Sequence, residues 1–131
     1  MLLERAPAVG TDAKRLGQVG EQAAAEYLRR AGYRILARNY SCGAGELDLI
    51  CRREDCLIFV EVKTRAADAP ADPEETITRF KQRQLERVAR AWLAAHGEPD
   101  CAYRFDAVSV VMSAQGEPRV RHIIDAFVPS R

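Results

Sequence analysis

From Ala13 to Ala31 the apolar positions Leu16, Val19, Ala23, Tyr27 and Ala31 recur every three or four residues, and Gly32 follows. That spacing predicts an amphipathic helix stopped by the glycine. Tyr33 to Tyr40 alternates weakly, as a strand does, and Ser41-Cys42-Gly43-Ala44-Gly45 supplies a turn. Glu46 to Cys51 and Cys56 to Lys63 are β-branched, apolar runs joined by Arg52-Arg53-Glu54-Asp55, which predicts two antiparallel strands at the centre of a sheet. Residues 66–75, rich in Pro and acid, predict a surface loop; Thr76 to His96 then places Leu85, Val88, Ala89 and Trp92 on one helical stripe that ends at Gly97. Tyr103 to Met112 alternates as a strand, and Arg119 to Phe127 extends as a strand or short extended segment. Residues 1–12 carry no period and are expected to be a flexible arm before a single domain over 13–131. The expected order α-β-β-β-α-β-β specifies an α/β fold, a central mixed sheet flanked by helices rather than a doubly wound parallel one.

A length of 131 residues suits one core, and no run approaches the ~20 apolar residues that a membrane helix needs. Glu4 and Arg5 break the apolar start, unlike a signal peptide, so no membrane partner and a cytoplasmic location are expected. Cys42, Cys51, Cys56 and Cys101 form no CxxC pair and lie far from His96 and His122, which removes zinc spacing and leaves buried thiols as the reading. Both histidines look peripheral. A net charge of +1 gives no whole-molecule attraction to polyanions, so any phosphate binding needs a local basic face. Of the 20 basic residues only Lys14, Lys63 and Lys81 are lysine. In a chain that otherwise uses arginine, those lysines point to chemistry that a guanidinium cannot replace.

Read with a period of two, Leu57, Phe59, Glu61, Lys63 and Arg65 share one face of their strand. Glu61 therefore emerges from a sheet centre, where a carboxylate needs a partner. In the preceding strand Glu46 and Asp48 share a face with Leu47, Leu49 and Cys51 opposite, and antiparallel pairing would set Asp48 beside Glu61. Two converging carboxylates are relieved by a hard, oxygen-loving cation, Mg²⁺ or Mn²⁺. Such an ion polarises a phosphodiester and activates water, with Lys63 orienting the water or holding developing charge. Glu21, on a helix face with Gly17, Ala24 and Leu28, would reach the ion across a close helix–sheet contact. Glu46 reads either as a further ligand or as a cap of the Gly43–Gly45 turn. Lys81 and Gln84 point toward the sheet and, with Arg65, are the nucleic-acid contacts expected, the alternative for the helical pair being ordinary surface. Trp92 reads as core, and Asp106 as the partner of Arg104 or another arginine. The arginines at 29–30, 52–53 and 79–90 support nucleic-acid binding only if they ring the Asp48 site.

Six segments, GEQAAAEYL at 20–28, GELDLI at 45–50, IFVEVKTR at 58–65, KQRQL at 81–85, RFDAV at 104–108 and HIIDAF at 122–127, together resemble the bacterial YraN-like uncharacterised family. The resemblance implies a restriction-endonuclease-like fold, related to archaeal Holliday-junction resolvases, whose pattern is an acid, a spacer and Glu-x-Lys. Asp48 and Glu61-Val62-Lys63 match it, Glu21 matches the helix carboxylate, and Gln84 matches the glutamine beyond the core. The function so implied is a Mg²⁺-dependent endonuclease hydrolysing DNA phosphodiester bonds, in branched or damaged DNA; the alternative is a non-catalytic nucleic-acid-binding module of the same fold, in repair or recombination. Expected partners are DNA, repair or recombination proteins and a second copy of the chain, since a two-fold homodimer would pair two sites on a symmetric junction.

Overall fold

A computed structural model of the chain describes residues 9–67, 77–98 and 100–129. It contains α1 (Val9–Arg30), β1 (Arg34–Cys42), β2 (Gly45–Arg53), β3 (Cys56–Arg65), α2 (Arg79–Ala95), β4 (Ala102–Met112) and β5 (Pro118–Phe127). The order and the mixed sheet are those expected. The first helix begins at Val9, inside the stretch read as an arm, while residues 1–8 and most of the expected acidic loop lie outside the described residues.

The five strands lie in sequence order, β1-β2-β3-β4-β5, and only the β3–β4 pair is parallel. A hairpin cannot make a parallel pair, and here the β3–β4 connection passes through α2, which covers one face of the sheet. Leu47, Ile50, Leu57, Phe59 and Phe105 meet Leu85, Val88, Ala89 and Trp92 of α2 on that face. On the other face Leu49, Cys51, Ile58, Val60, Val108 and Val110 pack against Ala24, Ala25 and Leu28 of α1. The alternation expected along β3 is therefore observed, with Leu57 and Phe59 toward α2 and Ile58 and Val60 toward α1.

Both helices end on the expected glycines. Gly32 and Gly97 take φ of 97° and 68°, and the N–H groups of Tyr33 and Glu98 reach back to the carbonyls of Leu28 and Leu93, each at 2.9 Å. The close helix–sheet approach falls at Gly20 rather than Gly17. A Cβ at Gly20 would stand 1.7 Å from Oγ1 of Thr64 on β3, whereas one at Gly17 would meet nothing within 4 Å. Gly20 thus lets α1 settle against the end of β3 and brings Glu21 there with it.

Candidate functional site

The β2–β3 ladder runs from Arg53↔Cys56 to Leu49↔Val60 and stops. Beyond it the N–H of Val62, whose strand partner in a continued register would be Leu47, donates instead to Oδ2 of Asp48 at 2.7 Å. The side-chain alternation of β2 slips at the same place: Leu47 packs toward α2, while Leu49 and Cys51 pack toward α1. This corrects the regular two-residue period expected for β2, in which Leu47, Leu49 and Cys51 share a face. The irregularity is shared by β1, where the Asn39–Asp48 pair is missing from an otherwise continuous stretch of register and Asn39 adopts φ of 51°. Asparagine tolerates that left-handed conformation better than most residues. Its side chain favours the ionised form of Glu21, so the same distortion that turns Asp48 toward β3 also sets Asn39 near the α1 carboxylate.

Glu61 continues the α2-facing row of Leu57 and Phe59 and stands near Asp48, as the pairing argument expected. Burial, then the Asp48 charge, push the Glu61 carboxyl up to about 7 against the pull of Lys81 and Lys63. Asp48 is raised as well, by burial and the Glu46 charge, although the Val62 N–H and Lys81 favour its ionised form. Burial and Asp48 raise Glu21, with Asn39 opposing them. The carboxylates thus form one electrostatic group that is short of positive charge.

Thr78 caps α2 by accepting the N–H of Lys81 at 3.2 Å, and Nζ of Lys81 stands 3.8 Å from Oε1 of Glu61. Lys81 accordingly stands beside the carboxylate group. One turn on, Gln84 lies against the β1–β2 turn, where a Cβ at Gly45 would be 2.6 Å from its Nε2. Glu46 is exposed beside that glycine, and among the described residues no hydrogen bond ties its side chain to the turn. Glu61, Lys63, Thr78, Lys81 and Ser109 line a cavity of about 290 Å³ whose remaining wall is largely apolar, from Val62, Ile77, Ala107, Val108 and Ile123. Arg65 lies farther along β3, beside Val111 of β4, and is not part of that lining.

The structure separates the remaining candidates from this group. Arg29 and Arg30 pair with Glu26, and Arg52 pairs with Glu98 at 2.7 Å at the opposite end of β3 from Glu61. Asp106 does pair with Arg104, but His122, expected to be peripheral, bonds the same carboxylate at 2.7 Å within a cluster on the α1 side of the sheet. Asn39, Thr78 and Ser109 went unrecognised in the sequence. Among the described residues no three His, Cys, Asp or Glu form a ready-made metal cage, and no helix is long and apolar enough to cross a membrane.

The profile of Uncharacterised protein family UPF0102 matches residues 20–110. A UPF0102 protein of Nitratidesulfovibrio vulgaris is 49% identical over 111 residues, covering 85% of this chain and 82% of its own. The corresponding figures are 44% over 114 residues, 87% and 89%, for UPF0102 protein GSU0650 of Geobacter sulfurreducens, and 40% over 122 residues, 92% and 96%, for a relative from Trichlorobacter lovleyi. Two solved structures are distant likenesses. An EndoMS–dsDNA2 complex aligns at 19% identity and TM-score 0.43, over 86% of this chain and 40% of that one. Pyrococcus furiosus SfsA in complex with Ca²⁺ aligns at 17% and 0.45, over 82% and 64%. The matched span 20–110 contains Glu21, Asn39, Asp48, Glu61, Lys63 and Lys81 alike, and the chain belongs to the UPF0102 family.

Proposed function

We propose that the chain is a Mg²⁺-dependent endonuclease hydrolysing phosphodiester bonds in DNA, with branched or damaged DNA as its substrate. One observation carries the reading: Asp48 and Glu61, both raised, stand together where β2 leaves β3, with Lys63 and Lys81 beside them at the mouth of a cavity. The donor set fits a hard divalent cation. It offers only oxygen, its carboxylates repel one another, and Mg²⁺ needs no more than one or two protein carboxylates when phosphate and water complete its shell.

Asp48 and Glu61 would hold the ion, with Glu21 and Glu46 at its periphery. Bound there, Mg²⁺ supplies Lewis-acid polarisation of the scissile phosphate and a more acidic water. Lys63, on the strand face of Glu61, orients the attacking water and holds charge developing on the phosphate. Lys81, already drawn to Glu61, is placed to bind a phosphate oxygen, and Gln84 and Arg65 to steady the flanking backbone. Asn39 keeps Glu21 oriented, so that Glu21 can accept a hydrogen bond from water. The Val62 N–H holds one oxygen of Asp48 and leaves the other for the ion.

The test is cleavage of a labelled four-way junction in Mg²⁺ or Mn²⁺, alongside calorimetric titration of each ion. Wild type should bind the ion and cut. Asp48→Ala, Glu61→Ala and Lys63→Ala should lose at least about 10²-fold in rate while remaining folded by circular dichroism. Cutting by those variants at the wild-type rate would overturn the assignment. Junction binding without turnover in either metal would replace the enzyme with a non-catalytic DNA-binding module.

A further inference from the structure

The solvent face of α2 takes no part in that chemistry, and its charge is one-sided. Arg79, Arg83, Arg87 and Arg90 are all exposed, at intervals of four, four and three residues. At 100° per residue they fall within an arc of about 80°, on the side opposite Leu85, Ala89 and Trp92. Among the described residues none of the four side chains makes an ion pair or hydrogen bond. Among the described residues, Glu86, the one carboxylate of α2, is 7% exposed, and Glu98 just past the helix is held by Arg52. In a chain of net charge +1, four exposed cations with no acid bonded to them among the described residues form a local field that the whole molecule lacks.

The stripe also has a direction. The row runs for about 16 Å, at 1.5 Å of rise per residue, from the first turn of α2, where Lys81 reaches Glu61 from the opposite side of the helix. That length equals roughly five steps of one strand of a duplex, at about 3.4 Å each. Phe80, 75% exposed beside Arg79, leaves an aromatic face at the same end. We propose that this face of α2 binds the phosphate backbone of double-stranded DNA, laying a duplex arm along the helix. The choice of DNA rests on the proposed function; the cationic face does not. Phosphate contacts of this kind position a duplex without reading its sequence.

The test is binding of a fluorescent 20-base-pair DNA duplex to the full chain in metal-chelating buffer, across a range of salt. No cleavage can occur there, so docking and catalysis are judged separately. The triple variant Arg83→Ala/Arg87→Ala/Arg90→Ala should bind at least about tenfold more weakly, with the slope of log affinity against log salt reduced by about one for each arginine removed. Arg29→Ala/Arg30→Ala removes charge at a distant site where both arginines are paired, and should leave affinity and slope near wild type. Equal weakening per charge in both variants, an unchanged triple variant, tighter binding of an RNA duplex, or a wild type that binds no duplex would each overturn the docking surface. Loss of binding in the triple variant, in a wild type that never cuts with Mg²⁺, would uphold the surface and reject the nuclease.

Discussion

Glu61 and Asp106 lie on neighbouring parallel strands near the middle of one sheet, and in both burial is the largest influence raising the carboxyl. Their outcomes are opposite. Asp106 accepts from Nε and Nη2 of Arg104 at 3.0 and 3.2 Å, bonds Nε2 of His122 at 2.7 Å, and takes the N–H of Asp125 at 3.1 Å. Those partners outweigh its burial and hold the carboxyl below the usual carboxylate range. Glu61 has Lys81 at 3.8 Å and other carboxylates as neighbours, and it is raised to about 7. Burial alone therefore does not decide the direction in which a carboxyl of this sheet is shifted; the completeness of its partners does. The α1 side holds a closed polar cluster that fixes structure, and the end of β3 toward α2 holds an open one, where the proposed function places a cation and a phosphate.

The largest effect should come from the closed cluster. Asp106→Ala strands Arg104 and His122 and releases the β5 bulge at Asp125, whose φ is 53°. Breaking a buried pair in this way costs about 3–5 kcal/mol, with the lower end fitting the partial exposure of Arg104. Urea unfolding measures it, and a cost below about 1 kcal/mol would put Asp106 in the same class as Glu61.

Glu61→Gln should act in the other direction. A carboxyl raised from 4.5 to about 7 contributes stability that is fully present below pH 4.5 and is lost as pH rises through about 7. In metal-free buffer wild type should therefore weaken across that window, by on the order of 2 kcal/mol, and Glu61→Gln should weaken less and be the more stable protein at pH 8. Mg²⁺ should restore wild type at pH 8 and do little for the variant. Asp106 is lowered, so its contribution is present above pH 3.8 and is lost only as pH falls through its folded value, giving an acid limb that Glu61→Gln leaves in place. Thermal unfolding between pH 3 and 8 records both limbs; a wild-type profile flat from 4.5 to 7 would contradict the open reading of the site.

The sequence made the open site more legible than the closed one, because period and local pattern carry information only over short spans. Leu57, Phe59, Glu61 and Lys63 alternate as written, the helices stop at Gly32 and Gly97, and the antiparallel register that aligns Leu49 with Val60 brings Asp48 toward Glu61. What failed were departures from regularity. Nothing in GELDLI signals that alternation slips at Asp48, because the cause lies across the ladder at Asn39, whose left-handed backbone has no more signature than an asparagine within a strand. The Asp106 partners were hidden in another way. His122 arrives from 16 residues away across the β4–β5 register shift, and Tyr33 from 71 residues before Arg104, separations that no local spacing encodes. Arg29, Arg52 and Arg83 read alike in sequence; only the fold shows the first two paired and the third, among the described residues, without an ion-pair partner.

The smallest effects sharpen the comparison most, because two substitutions of similar energetic cost should part in their consequences. Thr78→Ala removes the cap that accepts the Lys81 N–H, worth about 1 kcal/mol, and frays the turn that aims Lys81 at Glu61. Tyr33→Phe removes the hydroxyl that accepts from Nη2 of Arg104 at 2.8 Å, again about 1 kcal/mol, and touches only the closed cluster. Urea unfolding should place both variants close together. Junction cleavage should separate them: Thr78→Ala slows it severalfold and Thr78→Ser, which keeps the capping oxygen, restores it, while Tyr33→Phe cuts at the wild-type rate. If both variants slowed in proportion to lost stability, the closed cluster would be energetically coupled to the site and the division between the two faces would fail. If neither slowed, the position of Lys81 would not matter to the reaction, and its approach to Glu61 would be the resting place of a long side chain.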